Sequence, residues 1–457
     1  MTTSLAAIGT AHPHGSAPSP AEVFARTRAR EESLSRLLTA FVGSGLFFML
    51  VPGTFLGVWN LLRISARESV ASISPSWLQA HGHAQVFGWV GSFILGIGFC
   101  SIPKLRGNAK GLGAAPWLCW TMWTAGVALR WSANVYLWHW RTLLPLSAGL
   151  ELAAFLIFFR AVSGHRTEGA TKVRFDPWIG VVVAASAGLL TVLLTNLVGC
   201  FYVAAYHESP AFPHLFDQRY LALMAWCFLV PFVWGFSAKW MPVFLGLKPS
   251  RTAFLLAAVA ANIAGLGFVA LGRTLQGSLS FALGTFLSAV GVRIFERSIF
   301  APKTRGVHIS FPFFLRSAYA WLLIAGALGI AASLWDTSGG IWGASRHALT
   351  VGFISVMILC VGQRVLPAFA GMRVLWSTKL MFFALLFLTL GCSARVSCEV
   401  LAYQGDLHWA WQLLPLSALL ELGALSLFAI NIMGTFLLRP VHSVREPLVA
   451  RIAEVSR

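Results

Sequence analysis

The sequence predicts an all-α protein that crosses a membrane about twelve times, and three observations carry that reading. Of its 457 residues 57% are hydrophobic and only 11% charged, whereas soluble domains carry roughly 25% charged residues. The mean hydropathy is +0.73. The apolar residues fall in stretches of about 20, the length of helix that spans a bilayer core. An aromatic content of 13% excludes a disordered chain, and seven cysteines without a CxxC or CxxCH exclude a structural zinc site and covalently attached c-type haem.

Taken in order, the spans fall near 36–63, 78–103, 112–137, 143–163, 178–205, 218–245, 252–272, 276–298, 313–336, 343–370, 377–403 and 410–437. The stretch 1–35 reads as a cytoplasmic tail, disordered over its Ser-, Pro- and Ala-rich opening, and 438–457 as a second cytoplasmic tail. Most of the 34 cations lie in the tails and alternate connections, for example Lys104/Arg106/Lys110, Arg166/Lys172/Arg174 and Arg293/Arg297/Lys303/Arg305. The opposite side holds Arg63, Arg67, Arg141, Arg219, Arg273 and Arg346. The positive-inside rule therefore places both termini in the cytoplasm. The net charge of +18 is an orientation signal, and nucleic acid is not an expected partner. Membrane lipid is.

A unit recurs along the chain. Spans two, six and ten end in PKLRG (103–107), PVFLG (242–246) and PAFAG (367–371). One membrane width before each proline stand His83, Ala222 and His347. LLPLSAGLEL (143–152) and LLPLSALLEL (413–422) differ at one position. Spans three and eleven carry Arg130 and Arg395, and spans four and twelve carry Glu151 and Glu421 at similar depth. The expected organisation is three quasi-equivalent four-helix units, 36–163, 178–298 and 313–437, with the middle one degenerate.

A charge inside a span costs at least about 2.5–3.5 kcal/mol, so each needs a partner. Two readings are compatible. Arg130 with Glu151 and Arg395 with Glu421 form intramembrane ion pairs, or the arginines hold an anionic ligand such as haem propionates. His83 and His347 enter helices at matching positions and suit two axial imidazoles on one haem iron, although the same spacing accommodates copper or zinc. His81 joins this metal set. With His207, His214 and His408 it also composes a candidate second metal site at the outer face. The cysteines and the small-residue stretch around Asn262 read as close helix packing.

At HGHAQVFG (81–88) and HALTVG (347–352) the sequence resembles the NnrS family, twelve-spanning membrane proteins linked to nitric-oxide stress. Its second-span pattern is similar to H-x-H-E-x-x-F-G, which His81, His83, Phe87 and Gly88 match and Ala84 departs from. In the tenth-span pattern Met357, Leu359, Arg364 and Gly371 match, while PAFAG places Phe369 where the family has a histidine. The plan also resembles subunit I of the haem–copper oxidases, with His83 and His347 in the roles of low-spin haem ligands and Arg395 at the propionates. The resemblance implies haem b, with copper as a second metal, in a multi-pass protein of the bacterial inner membrane. It implies nitric-oxide tolerance or respiratory redox chemistry, with nitric oxide or a respiratory-chain protein as partner. Catalytic residues are not identified, because spans six and seven lack the histidines of a binuclear oxygen or nitric-oxide reductase centre. The alternatives are a secondary transporter using the Arg/Glu pairs and a non-catalytic assembly partner of a respiratory complex.

Overall fold

The computed structural model describes residues 19–105, 113–163, 176, 178–371, 373–405 and 407–439. Cations Arg106, Lys110, Arg166, Lys172 and Arg174, most of the N-terminal tail and the tail from 440 onward lie outside the described residues, as do His12, His14, His165 and His442.

Among the described residues the chain is helical without strands. Eleven helices are long and apolar enough to cross a membrane: α1 (Ala29–Arg67), α2 (Pro75–Ile102), α4 (Trp140–Ser163), α5 (Trp178–Tyr206), α6 (His214–Leu245), α7 (Thr252–Ala270), α8 (Thr274–Val292), α9 (Phe311–Trp335), α10 (Gly340–Phe369), α11 (Thr378–Tyr403) and α12 (His408–Leu438). Between α2 and α4 lies α3 (Ala115–Tyr136). Its 22 residues rise about 33 Å at 1.5 Å each, enough to span a bilayer core. The protein is a multi-pass membrane protein, and apolar side chains such as Val198, Phe201 and Phe286 face outward where lipid meets them.

Two boundaries differ from the sequence reading. Helix begins at Pro20 rather than near 36, so part of the expected tail extends the first span. The eighth span ends at Val292 instead of 298, because Arg293 adopts a left-handed cap (φ 63°) and the chain turns there. The Pro-x-x-x-Gly endings of α6 and α10 are helix terminators. Gly246 and Gly371 take positive φ (65° and 91°), and the Leu247 N–H reaches back to the Pro242 carbonyl at 3.0 Å. The corresponding glycine after α2 lies outside the described residues.

Short connections make α3/α4, α7/α8 and α11/α12 antiparallel neighbours, and these three pairs pack most extensively. Helices α4 and α8 lean on α5 and α9, and α12 returns to α1, closing a ring. An apolar cluster seals that closure, joining Val58, Leu61 and Ile64 of α1 to Ala402 of α11 and Trp411 and Leu414 of α12. Helices α2 and α10 are the most interior, with 72% and 67% of their most apolar segments buried.

Candidate functional site

Four spans contain a widened, π-helical turn: Met49–Phe55 in α1, Ala84–Gly91 in α2, Met224–Leu229 in α6 and Ala348–Ser355 in α10. In α2 and α10 the turn starts immediately after His83 and His347. In α6 it starts two residues after Ala222, which occupies the same place in the unit. Such a turn frees backbone carbonyls, which inside a membrane need donors from neighbouring helices. The Trp123 indole supplies one to Phe87 O at 3.0 Å, and Asn262 supplies one to Trp226 O at 2.9 Å. These two bonds stand at equivalent positions of the first and middle units. Asn262 therefore has a bonding role besides the close packing expected of its surroundings.

The same correspondence locates the polar positions. A Cβ on Gly126 would lie 2.8 Å from Glu151 Cγ, one on Gly391 3.0 Å from Glu421 Cγ, and one on Gly265 2.6 Å from the Phe281 ring. In the middle unit, then, Phe281 stands for the glutamate, Val269 for the arginine and Ala222 for the histidine. The polar set has been replaced there as a whole.

In the first unit, His83 Nε2 donates to Glu151 Oε1 at 2.7 Å. The imidazole stacks on Phe87, with ring centroids 4.4 Å apart. Glu151 is fully buried and His83 is 8% exposed. The expected direct contact of Arg130 with Glu151 is not made. Asn196 of α5 stands between them, donating to Glu151 Oε2 at 3.3 Å and accepting from Arg130 Nη1 at 3.3 Å. Arg130 Nη1 also meets Cys200 Sγ at 2.7 Å, and the guanidinium lies 4.6 Å from the Phe212 ring centroid. The sequence reading missed Asn196 and Cys200, which come from the next unit.

The third unit is wired differently. His347 Nδ1 lies 2.9 Å from Gly343 O and 2.9 Å from Glu399 Oε2. Arg395 Nη2 meets His347 Nε2 at 3.4 Å, and since a guanidinium only donates, Nε2 carries the lone pair. Arg395 Nε is 3.4 Å from Glu399 Oε2. The ion-pair partner of Arg395 is thus Glu399, four residues along its own helix, rather than Glu421. An acid at i+4 from an intramembrane arginine is the signal that would have found it. Arg395 Nε, Glu399 Oε2 and Glu421 Oε1 are buried without a hydrogen-bond partner.

His81 packs against α1, on a different partner from its neighbour His83. Its Nδ1 is 2.9 Å from the Gly53 carbonyl, inside the widened turn of α1, so Nδ1 donates and Nε2 holds the lone pair. His347 and Arg395 lie within electrostatic range of its ring. A Cβ on Gly57 would fall 2.6 Å from His81 Cε1, so the glycine makes room for the imidazole. The second metal site expected from His81, His207, His214 and His408 is not assembled. His207 packs against the Tyr202 ring, His214 opens α6, and exposed His408 pairs with Glu68 at 2.6 Å. Among the described residues no group of three or more His, Cys, Asp or Glu side chains is placed to hold a metal ion.

The model of the NnrS protein family matches residues 39–440, from within α1 to just beyond α12. The chain belongs to the NnrS family. The match spans all three units, so the polar-poor middle unit of this NnrS chain is part of the family plan rather than an appended domain. No curated protein matches the chain. The imidazoles of this NnrS protein differ in the nitrogen that each commits. His83 commits Nε2 to a buried carboxylate, whereas His81 and His347 anchor Nδ1 on a backbone carbonyl, and His347 Nε2 accepts from Arg395 Nη2.

Proposed function

We propose that this NnrS-family protein holds a haem between His81 and His347 and works in nitric-oxide tolerance or respiratory redox chemistry at the bacterial inner membrane, with both termini cytoplasmic. One observation carries the reading: two imidazoles, each with Nδ1 on a backbone carbonyl and Nε2 bearing the lone pair. That is the disposition of imidazoles that ligate a metal, whose other nitrogen is usually held by an outer-shell acceptor. The surroundings fit the group. Gly57 admits the His81 imidazole beside α1, and the Arg395 guanidinium, whose Nε has an ion-pair contact but no hydrogen bond, offers a cation for a propionate carboxylate. His83, the ligand suggested by repeat position, instead buttresses Glu151. When bound, haem supplies one-electron redox chemistry and a place for nitric oxide. Copper at the same imidazoles is the competing occupant, and metal analysis separates the two.

Purified protein is expected to show a Soret band that His81→Ala or His347→Ala removes and His83→Gln leaves in place. A colourless, metal-free wild-type preparation overturns the reading. Substrate-dependent flux in liposomes from haem-free protein would replace it with transport.

A further inference from the structure

The two proposed ligands are held differently, and the difference is a charge. His81 Nδ1 has a neutral carbonyl, Gly53 O, at 2.9 Å. His347 Nδ1 has a neutral carbonyl, Gly343 O, and also a carboxylate oxygen of Glu399, both at 2.9 Å. Glu399 is 6% exposed, so water does little to screen it. Its Oε2 accepts no hydrogen bond, and its charge is countered by Arg395 Nε at 3.4 Å. The carboxylate is also held where it is by shape. A Cβ on Gly343 would overlap Glu399 Oε1, so that glycine leaves the space the carboxylate occupies. In the first unit the position equivalent to Glu399 is Asn134, a neutral residue whose side chain donates to Ser76 O. The carboxylate is therefore specific to the third unit, whose histidine carries its lone pair on Nε2 and accepts there from Arg395.

We propose that Glu399 is a positioning residue that makes His347 the more electron-donating of the two ligands and so holds the bound haem iron toward its oxidised state. The inference rests on the ligation proposed above. A carboxylate beside Nδ1–H raises the basicity of the ligating Nε2 and stabilises added positive charge on the metal. Its removal shifts the one-electron equilibrium toward the reduced form.

The test uses full-length protein in detergent or nanodiscs and measures haem content, midpoint potential and the Soret spectrum of the wild type and two variants. Glu399→Gln keeps the shape and removes the charge. Gly343→Ala keeps the charge, introduces a better helix former and pushes the carboxylate away. Both are expected to retain haem while the oxidised-to-reduced ratio at fixed potential falls about tenfold or more, an upward move of about 59 mV for one electron. Glu399→Asp is expected to recover part of the shift. A readout independent of haem is the thermal unfolding of apoprotein, in which a His347/Glu399 double-mutant cycle should show coupling. Haem-loaded variants with unmoved potentials overturn the role of Glu399 and leave haem binding intact. A wild type without haem overturns both. Loss of haem from Glu399→Gln with no His347 coupling in the apoprotein reduces Glu399 to a packing residue and also overturns the proposal.

Discussion

Glu151 shows how a buried acid is neutralised here: its short contact is to the His83 imidazole, and the guanidinium of Arg130 reaches it only through Asn196. Removing one partner of a buried, hydrogen-bonded pair leaves the other unpaired at a cost of about 3–5 kcal/mol. His83→Leu should therefore lower the thermal stability of the detergent-solubilised protein by that order, and adding Glu151→Leu should restore part of it. A double substitution no more stable than the single one would show that the pair is uncoupled. At His81 the prediction is steric. Gly57→Ala places a methyl 2.6 Å from His81 Cε1, and haem occupancy measured by the Soret band should fall without loss of the folded protein. The residue types at these positions were legible in the sequence, because a charge or imidazole inside an apolar stretch is conspicuous. Their partners were not. Which acid meets which base depends on the rotation of each helix about its axis, which a sequence window does not show.

The widened turns belong to the scale of the helix. Hydropathy cannot reveal them, since AQVFGWVG and ALTVGFIS read as apolar helix in either form. Their cost shows in the side chains recruited to the freed carbonyls. Trp123→Phe keeps the aromatic bulk and removes the donor to Phe87 O, leaving a buried carbonyl unsatisfied at about 1–3 kcal/mol. Asn262→Leu should do the same to Trp226 O in the middle unit. Equilibrium unfolding of the two variants is expected to show losses of similar size, since the bonds occupy equivalent places. A loss at Trp123 alone would mean that the two turns are not held alike. At the end of α8 the charged run from Arg293 to Arg297 leaves the apolar span, Arg293 turns left-handed, and an ion pair with Glu296 at 2.9 Å holds the turn.

Across the molecule, ring closure packs α1 of the first unit against α11 and α12 of the third, and the haem site proposed above lies where the two units meet. His81 enters it from the first unit while Arg395, Glu399 and His347 enter from the third. The orientation of the ring in the membrane rests on the cation bias. Reporter fusions after residues 109 and 457 are expected to report the cytoplasm, and a fusion at 338 the opposite side. The reverse pattern would invert the topology.

The sequence by itself determined that this is a polytopic helical membrane protein, where its spans lie and which polar positions repeat. Insertion and depth are set locally, by apolar length and flanking charge, and duplication leaves its trace in the chain. Only the tertiary structure decided that Glu399 rather than Glu421 pairs with Arg395, that Asn196 separates Arg130 from Glu151, and that His81 rather than His83 leaves its Nε2 open. Those outcomes follow from helix rotation, the widened turns and contacts between units far apart in sequence. Each depends on which faces meet when the ring closes, and no local window of residues encodes that.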